Sequence, residues 1–301
     1  MKILNFGSLN LDYVYSVDRF VRPGETKSSK SMQIFSGGKG LNQSIALARS
    51  GVEVYHAGAV GKSDGGKLID ILKTNNVNID YIKHYDDVST GHAIIQVDED
   101  GQNCILLYGG ANQMITKNHV DRVLENFTKG DFLILQNEIN MLKYIVDEGH
   151  KKGLQIVLNP SPMDEKIFSL NLEYVDYFML NEVEAVDICE GEIKGDILDA
   201  LRTKYPSAKI ILTLGEKGVR FKDGDTVLEH GIFKVPVIDT TAAGDTFTGY
   251  FIGSLAKGYD IREALRLSSI ASAIAVSRKG AESSIPYMEE VQNSNLTLVY
   301  E

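Results

Sequence analysis

Short apolar runs alternate along the chain with segments whose apolar positions recur every three to four residues. The apolar runs predict strands at 2–7, 53–60, 131–135, 154–158, 175–180 and 209–214. The periodic segments predict helices near 41–50, 64–74, 117–127, 139–152, 182–189, 195–205 and 243–256. This alternation predicts an α/β fold, in which a mostly parallel central sheet is flanked by helices on both faces.

Two segments, 11–36 and 89–107, interrupt the alternation with extended runs that no helix separates. The second contains two such runs around Asp100-Gly101, a dipeptide typical of β-hairpins. The segments could pair into a small antiparallel sheet that acts as a lid and excludes water from a site. They could equally extend the edge of the main sheet, and the pattern alone favours neither arrangement.

Length and charge narrow the possible classes of protein. The 301 residues fit one large α/β domain or two modest ones. The formal net charge of −10 argues against a nucleic-acid partner, so an anionic ligand would need local attraction from helix N-termini, basic side chains or bound cations. No apolar run reaches 18 residues, and the N-terminal run is too short for a signal-peptide core, so we expect no membrane partner.

The cysteines and histidines indicate no disulfide or zinc framework. Cys104 and Cys189 are the two cysteines and lie far apart in the chain, which favours a cytoplasmic location. The six histidines form no close ligand cluster, which argues against a zinc site.

Two glycine-rich segments fail the common phosphate-binding patterns. In GAVGKS, at 58–63, His56 stands where the first glycine of the Walker pattern would fall. In GGKG, at 37–40, Gln43 replaces the last glycine of the dinucleotide pattern GxGxxG. These differences argue against a P-loop NTPase and a Rossmann dehydrogenase.

A glycine-rich segment at 36–51, SGGKGLNQSIALARSG, has glycines on both sides of Lys39 and continues into a predicted helix. Glycine permits close approach of the backbone to a ligand, and Asn42 offers both a donor and an acceptor, as a polyol requires. A plain strand-to-helix turn explains the glycines as well, and glycines alone favour it.

Two further segments carry polar pairs with two interpretations each. Asn10 and Asp12 follow the first strand and fit either a ligand site or an Asx turn. In NEVE, Asn181 and Glu184 are three residues apart, which fits water-mediated Mg²⁺ binding or a helix capping box. The spacing alone favours the cap.

The segment DTTAAGDTF, at 239–247, joins a strand-like run to a predicted helix. Ala242, Ala243 and Gly244 carry little bulk, so the first N–H groups of the helix are open to an anion. Asp245 suits the helix dipole, but a carboxylate here could also take a proton from a hydroxyl beside an arriving phosphoryl group. Taken alone, the segment favours capping.

In combination, these motifs resemble the ribokinase or PfkB family of sugar kinases. The resemblance covers nearly the whole chain, in the family's order, through GSLNLD, GGKGLNQSIALARSG, GAVGKSDGG, STGHA, GGAN, NPSP, NEVEA, TLGEKG, DTTAAGD and VSRKGAESSIP. The pair of DTTAAGD and the upstream GGKGxN is highly specific. The combination of GGKGLNQ and RKGA is most similar to the ribokinase branch.

The resemblance implies ATP-dependent phosphorylation of a sugar's primary hydroxyl, with D-ribose to ribose 5-phosphate as the first expectation. Fructose, deoxyribose, a sugar acid or a nucleoside are the alternatives within the family, and a non-catalytic sugar or nucleotide sensor is the alternative from another class. The intact Asp245, Gly244 and Asn42 argue against a sensor. The resemblance also implies Mg²⁺ with ATP, activation by K⁺, one Rossmann-like domain over 1–301, and a lid from 11–36 and 89–107 that pairs in a homodimer.

Position by position, the resemblance makes Asp245 the catalytic base, with an anion hole from the backbone N–H groups of Ala242, Ala243 and Gly244. It assigns sugar binding to Asn10, Asp12, Gly38, Lys39, Gly40, Asn42 and Glu138. It assigns ATP binding to Asn181, Glu184, Thr213, Gly215 and Gly218, with Mg²⁺ held by Glu184 through water. It assigns a monovalent-cation site, mostly of backbone carbonyls, to Asp239, Thr241, Ala275, Arg278, Gly280 and Ser284.

Three residues depart from the pattern that the family leads us to expect. Ser36 and His92 stand where apolar residues are common, and Asn137 is unusual beside Glu138. We expect all three near the sugar, where they leave the sugar's identity open.

Overall fold

The computed structural model describes residues 1–299, which form strands and helices in alternation. The strands are β1 (Ile3–Phe6), β2 (Asn10–Ser16), β3 (Ser31–Gly37), β4 (Val54–Gly61), β5 (Asn78–Tyr85), β6 (Gly91–Val97), β7 (Asn103–Tyr108), β8 (Phe132–Gln136), β9 (Gln155–Asn159), β10 (Tyr177–Asn181), β11 (Lys209–Thr213), β12 (Val219–Asp223) and β13 (Thr226–His230). The α-helices are α1 (Lys39–Arg49), α2 (Gly66–Thr74), α3 (Lys117–Leu124), α4 (Leu142–Lys152), α5 (Glu182–Ile188), α6 (Ile197–Lys204), α7 (Ala243–Ala256), α8 (Ile261–Val276) and α9 (Met288–Gln292).

The main sheet has nine strands in the order β13-β12-β11-β10-β9-β8-β1-β4-β5. The pairs from β11 across to β5 are parallel, and only the β12 and β13 edge is antiparallel. The predicted mostly parallel α/β sheet is therefore confirmed. Because the parallel strands share one direction, their carboxyl ends meet at one edge of the sheet, and the loops that follow converge there.

Both faces of the main sheet are buried, as a parallel sheet requires. Successive side chains of β1 point to opposite faces, so Ile3 joins one apolar cluster and Leu4 the other. The first cluster packs the sheet against α1, α2, α7 and α8, where Tyr250 and Phe251 are wholly buried. The second packs it against α3 to α6. Within residues 1–299, no helix is long and apolar enough to cross a membrane.

The two interrupting segments form a separate four-stranded sheet, in the order β3-β2-β6-β7, which we call the small sheet. They do not extend the main sheet. The prediction that it would be antiparallel is wrong, because β2 and β6 pair in parallel at its centre. In the chain, β2 follows β1 and β6 follows β5. The main-sheet strands β1 and β5 run in the same direction, so the chain leaves the main sheet at the same edge before β2 and before β6. Two strands that leave one edge in the same direction pair in parallel.

Candidate active site

A cavity of about 230 Å³ opens at the carboxyl ends of the parallel strands, the position at which ligands bind in open α/β sheets. It lies between the loops after β9, β10 and β11 and the start of α7. The lining residues are Lys39, Asn159, Ser161, Met179, Leu180, Asn181, Glu184, Thr213, Thr240, Ala242, Ala243, Gly244, Asp245, Phe247 and Thr248.

Asp245 lies in the first turn of α7 and is 6% exposed. Its Oδ2 accepts a hydrogen bond from Asn42 Nδ2 at 3.0 Å, and its Oδ1 accepts one from Gln43 Nε2 at 2.9 Å. The cap position belongs to Ala242, which provides no side-chain cap. Asp245 therefore makes no side-chain cap, although its place in the first turn still suits the helix dipole; its carboxylate turns toward α1 and lines the cavity.

The turn before α7 aims the helix N-terminus at the cavity. Ala242 has a φ of 60°, a left-handed conformation that costs a non-glycine residue about 1–2 kcal/mol. The N–H of Ala243 donates to Thr240 O in a long bond of 3.3 Å, and first-turn N–H groups have no acceptor inside their own helix. Ala242, Ala243 and Gly244 all line the cavity, so this turn offers backbone donors and a positive dipole to an anion.

Glu138 ties the loop after β8 to the start of α1. Its Oε2 accepts hydrogen bonds from the Ser8 hydroxyl and, at 2.8 Å, from the Lys39 backbone N–H. Burial raises the pKa of Glu138 despite these bonds. A carboxyl group kept from water in this way is a strong acceptor for a hydroxyl that replaces the lost solvent.

Asp12 and Asn10 lie at the start of β2, beside this loop. Burial and the charges of Glu138 and Glu282 raise the pKa of Asp12 to about 6. Asn10 is 4% exposed, and its Oδ1 accepts a hydrogen bond from Asn112 Nδ2 at 2.7 Å. The predicted sugar-binding side chains thus form one polar group around the start of α1.

The glycines before α1 are required by the backbone. Gly38 has a φ of 95°, which side-chain-bearing residues rarely adopt. A Cβ on Gly40 would lie 2.4 Å from the backbone nitrogen of Ser8. Close chain packing therefore accounts for these glycines before any ligand is considered.

Asn181 and Glu184 form a complete capping box at the start of α5. Asn181 Oδ1 accepts from the Glu184 N–H at 2.9 Å, and Glu184 Oε2 accepts from the Asn181 N–H at 3.0 Å. The capping interpretation is confirmed. Both residues also line the cavity, and Glu184 is 7% exposed, so the cap sets two oxygen-bearing side chains at the cavity wall.

The predicted nucleotide residues divide into two groups. Thr213, at the end of β11, lines the cavity. Gly215 and Gly218 belong to the 3₁₀ turn that follows and are not among the cavity-lining residues. A Cβ on Gly218 would lie 2.2 Å from His230 O, so packing within the structure already requires this glycine.

Asp239 joins the two segments that carry the predicted cation site. Its Oδ1 accepts from the Thr241 N–H at 2.9 Å and hydroxyl at 2.6 Å, and its Oδ2 accepts from the Gly280 N–H at 3.0 Å. Burial alone would raise the pKa of Asp239, but these hydrogen bonds lower it below its ordinary value. The guanidinium group of Arg278 forms an ion pair with Glu290. The backbone N–H of Arg278 donates to Ala275 O at 3.0 Å.

The expectation that Ser36 and His92 lie near the sugar side is wrong. Both pair with Leu11 in the small sheet, whereas Asp12 is the next residue along β2. Successive residues of a strand face opposite sides, so Ser36 and His92 are on the face away from Asp12. His92 packs against the rings of Tyr13 and Tyr108, at centroid distances of 5.7 and 5.0 Å.

Asn137 also turns away from the predicted sugar-binding residues. Its side-chain amide donates to Pro162 O at 2.7 Å and to Asp164 Oδ1 at 3.0 Å. Asn137 therefore fixes the loop after β9, which carries the cavity residues Asn159 and Ser161.

Several polar residues of the site escaped the sequence analysis. Gln43 holds Asp245, Ser8 holds Glu138, and Asn112 holds Asn10. For Gln43 a signal exists in the sequence, because an amide directly after Asn42 inside a predicted helix breaks the apolar pattern. Ser8 and Asn112 belong to the quoted segments GSLNLD and GGAN, but nothing in those segments indicates their partners, which are distant in the chain.

The family of the protein follows from its match to known proteins. The family model described as pfkB family carbohydrate kinase matches residues 1–288. The chain belongs to the pfkB family. This pfkB-family protein is accordingly a phosphotransferase that acts on an alcohol group of its acceptor and uses ATP.

Curated relatives of this pfkB-family kinase include enzymes for two sugars. It is 36% identical to the ribokinase of Bacillus subtilis, over 95% of this chain and 96% of the relative. It is 34% identical to the ribokinase of Haemophilus influenzae, over 94% and 95%. It is 30% identical to the deoxyribokinase of Salmonella typhi, over 96% and 97%.

Solved ribokinase structures share the fold of this pfkB-family kinase. The ribokinase of Cryptococcus neoformans var. grubii, in complex with ADP, superposes with a TM-score of 0.85 at 33% identity, over 97% of this chain and 98% of the other. The ribokinase of Arabidopsis thaliana, complexed with ribose and ATP, gives 0.84 at 28% identity, over 97% of both chains.

Proposed function

We propose that this kinase transfers the γ-phosphoryl group of ATP to the primary hydroxyl of D-ribose and forms ribose 5-phosphate. The observation that carries the proposal is the position of Asp245, a buried carboxylate held by Asn42 and Gln43 beside an open helix N-terminus. The ribokinase relatives at 34–36% identity support ribose as the acceptor.

In the proposed reaction, Asp245 accepts the proton of the attacking hydroxyl, because its carboxylate lines the cavity while side-chain amides hold both oxygens. The first N–H groups of α7, at Ala242, Ala243 and Gly244, stabilise charge on the transferred phosphoryl group. Lys39 lines the same cavity and adds a positive charge at its wall.

The sugar lies, in this proposal, against Asn10, Asp12, Glu138 and the glycine turn at the start of α1. Asn42 adds a specific indication. Its Oδ1 is buried and has no hydrogen-bond partner within residues 1–299, while its amide nitrogen donates to Asp245. A buried acceptor without a partner is costly, and a hydroxyl donated by a bound sugar would satisfy it.

ATP occupies, in this proposal, the cavity edge along Thr213 and the turn of Gly215 and Gly218. Asn181 and Glu184 provide oxygen atoms of the kind that Mg²⁺ takes through water, so these residues fit the ion that accompanies ATP. Bound there, Mg²⁺ would supply positive charge to the phosphate oxygens.

We further propose that K⁺ binds between the Asp239 segment and the segment at 275–284. Asp239 already links the two segments through Thr241 and Gly280, so a cation on their carbonyls would order the turn before α7. Activity should rise when K⁺ replaces a large organic cation, and indifference to this exchange would remove the site.

The small sheet is proposed to be a lid that pairs with its copy in a homodimer. It exposes apolar side chains on the face of Leu11, where a second copy would cover them: Met32, Ile34, Ile94, Leu106 and Tyr108. Phe35, Ile105 and Leu107 are exposed on the opposite face, that of Asp12. Exposed apolar area of this kind typically marks an interface.

A sugar panel with purified protein, ATP and Mg²⁺ tests the proposed acceptor. The rate of ADP formation should give the highest kcat/KM for D-ribose among ribose, deoxyribose, fructose, sugar acids and nucleosides. Deoxyribose is the second candidate, because the Salmonella typhi relative is a deoxyribokinase. A sugar-dependent thermal shift without ADP formation would instead indicate a sensor and contradict the proposal.

A further inference from the structure

Three buried side-chain amides form a series of hydrogen bonds that ends at the carboxylate of Asp245. Gln43 donates to Asp245 Oδ1 at 2.9 Å, and Gln43 Oε1 accepts from Gln136 Nε2 at 2.7 Å. Gln136 Nε2 also donates to Asn5 Oδ1 at 2.9 Å. Gln43, Gln136 and Asn5 are all 0% exposed, although they come from α1, β8 and β1.

A backbone carbonyl fixes which atom donates and which accepts in this series of hydrogen bonds. Asn5 Nδ2 lies 2.8 Å from Gly40 O, which can only accept, so the Asn5 amide nitrogen must point there and its oxygen must face Gln136. Gln136 then presents its nitrogen to Gln43 Oε1. The Gln43 nitrogen is left facing Asp245 Oδ1, so the carboxylate meets a donor that cannot turn into an acceptor.

We infer that Gln43 is a positioning residue for the reaction, which fixes the rotamer of Asp245 so that its carboxylate faces the cavity. The inference rests on the proposed role of Asp245 as base. A hydrogen bond to a charged group is stronger than one between neutral groups, so the Gln43 donor holds Asp245 Oδ1 in place. The other charged groups at this cavity wall are Lys39 and Glu184.

The test is Gln43→Met, which keeps the length of the side chain and removes the donor. We expect kcat to fall on the order of 10–100-fold, as the loss of a hydrogen bond to a charged group implies, while KM for ribose and ATP changes less than about threefold. The matched control is Gln155→Met, at the amino end of β9, where the Gln155 side chain donates to Gly130 O at 3.0 Å, away from Asp245.

A folded Gln43→Met enzyme with kcat within about twofold of wild type would overturn the inference. A raised KM with unchanged kcat would overturn it as well. If Gln43→Met does not fold, Gln43→Leu decides, since leucine is shorter and also lacks the donor: the same kcat loss supports the inference, and its absence overturns it. Asp245→Asn, measured alongside, separates the two claims, because an active Asp245→Asn enzyme refutes the proposed base itself.

Discussion

The substitution Asp245→Asn separates the chemistry of the carboxylate from its packing. Asn has the same shape, but one oxygen becomes an NH₂ group that must face either Gln43 or Asn42. Gln43 cannot turn, because Gln136 holds its oxygen. Asn42 can, since its Oδ1 has no partner within residues 1–299. The new NH₂ group therefore faces Asn42, which rotates to accept it, and the packing is kept.

The expected magnitudes follow from this geometry. The stability loss should stay below about 1–3 kcal/mol, the cost of one buried polar group left unsatisfied, because Asn42 supplies a new acceptor. The loss of a general base lowers kcat about 10²–10⁴-fold, equivalent to about 3–5 kcal/mol of transition-state stabilisation. Sugar affinity should change little, because a sugar hydroxyl can accept from the rotated Asn42 amide as well as donate to its oxygen, and the other polar groups around the start of α1 are intact.

Steady-state kinetics with ribose and ATP, ribose titration calorimetry and thermal unfolding measure these quantities on one preparation. The matched control is Asp260→Asn, the N-cap of α8, where Asn caps as well as Asp and kcat should be unchanged. A folded Asp245→Asn enzyme with kcat within about threefold of wild type would refute the reasoning.

Three further predictions concern stability and assembly. The pKa of Asp12 is raised from 3.8 to about 6, so ionisation of Asp12 destabilises the folded state as the pH rises. In denaturant unfolding at pH 8, the free energy of unfolding of Asp12→Asn should therefore exceed that of wild type by about 1–3 kcal/mol. Near pH 4 the two proteins should be equally stable. Leu106, 69% exposed on the small sheet, lies in the proposed dimer interface, so Leu106→Asp should convert the dimer to a monomer, as measured by light scattering. The control Val183→Asp, at a residue 70% exposed on α5, should leave the dimer intact. A Leu106→Asp protein that remains a dimer would refute pairing through this sheet. Gly249→Ala places a Cβ 2.4 Å from Ala46 Cβ and should lower the free energy of unfolding by about 1–3 kcal/mol. The control Gly66→Ala, whose new Cβ has no atom within 4 Å, should leave stability unchanged. Equal unfolding temperatures for the two variants would contradict this packing argument.

The interior of the main sheet could be predicted because strands buried on both faces are continuous apolar runs. The run 131–135 corresponds to β8 (Phe132–Gln136), and 209–214 to β11 (Lys209–Thr213). The edge strands β5 and β13 were missed because their half-exposed faces carry polar residues that interrupt the pattern. The helix α8 was missed as well, although Asp260, which caps the Glu263 N–H, was an available start signal.

The site could be predicted only where a contiguous motif carries it. Asp245 and the turn before it form one segment, and the structure places them together at the cavity. The face on which His92 lies depends on its register with Leu11, which no local pattern specifies. Asn5 and Gln136 are 131 positions apart and meet only because β1 and β8 pair. The sequence indicates Asn5 and Gln136 only as amide residues within otherwise apolar strands.

The position of the phosphate on the product shows directly whether the kinase acts on the primary hydroxyl of D-ribose. Wild-type protein would be incubated with ATP, Mg²⁺ and D-ribose, and the product examined by phosphorus and carbon NMR. One sugar phosphate is expected, esterified at the C5 oxygen and formed in equal amount to ADP. A phosphate at the anomeric carbon, or ADP formed at the same rate without sugar, would contradict it.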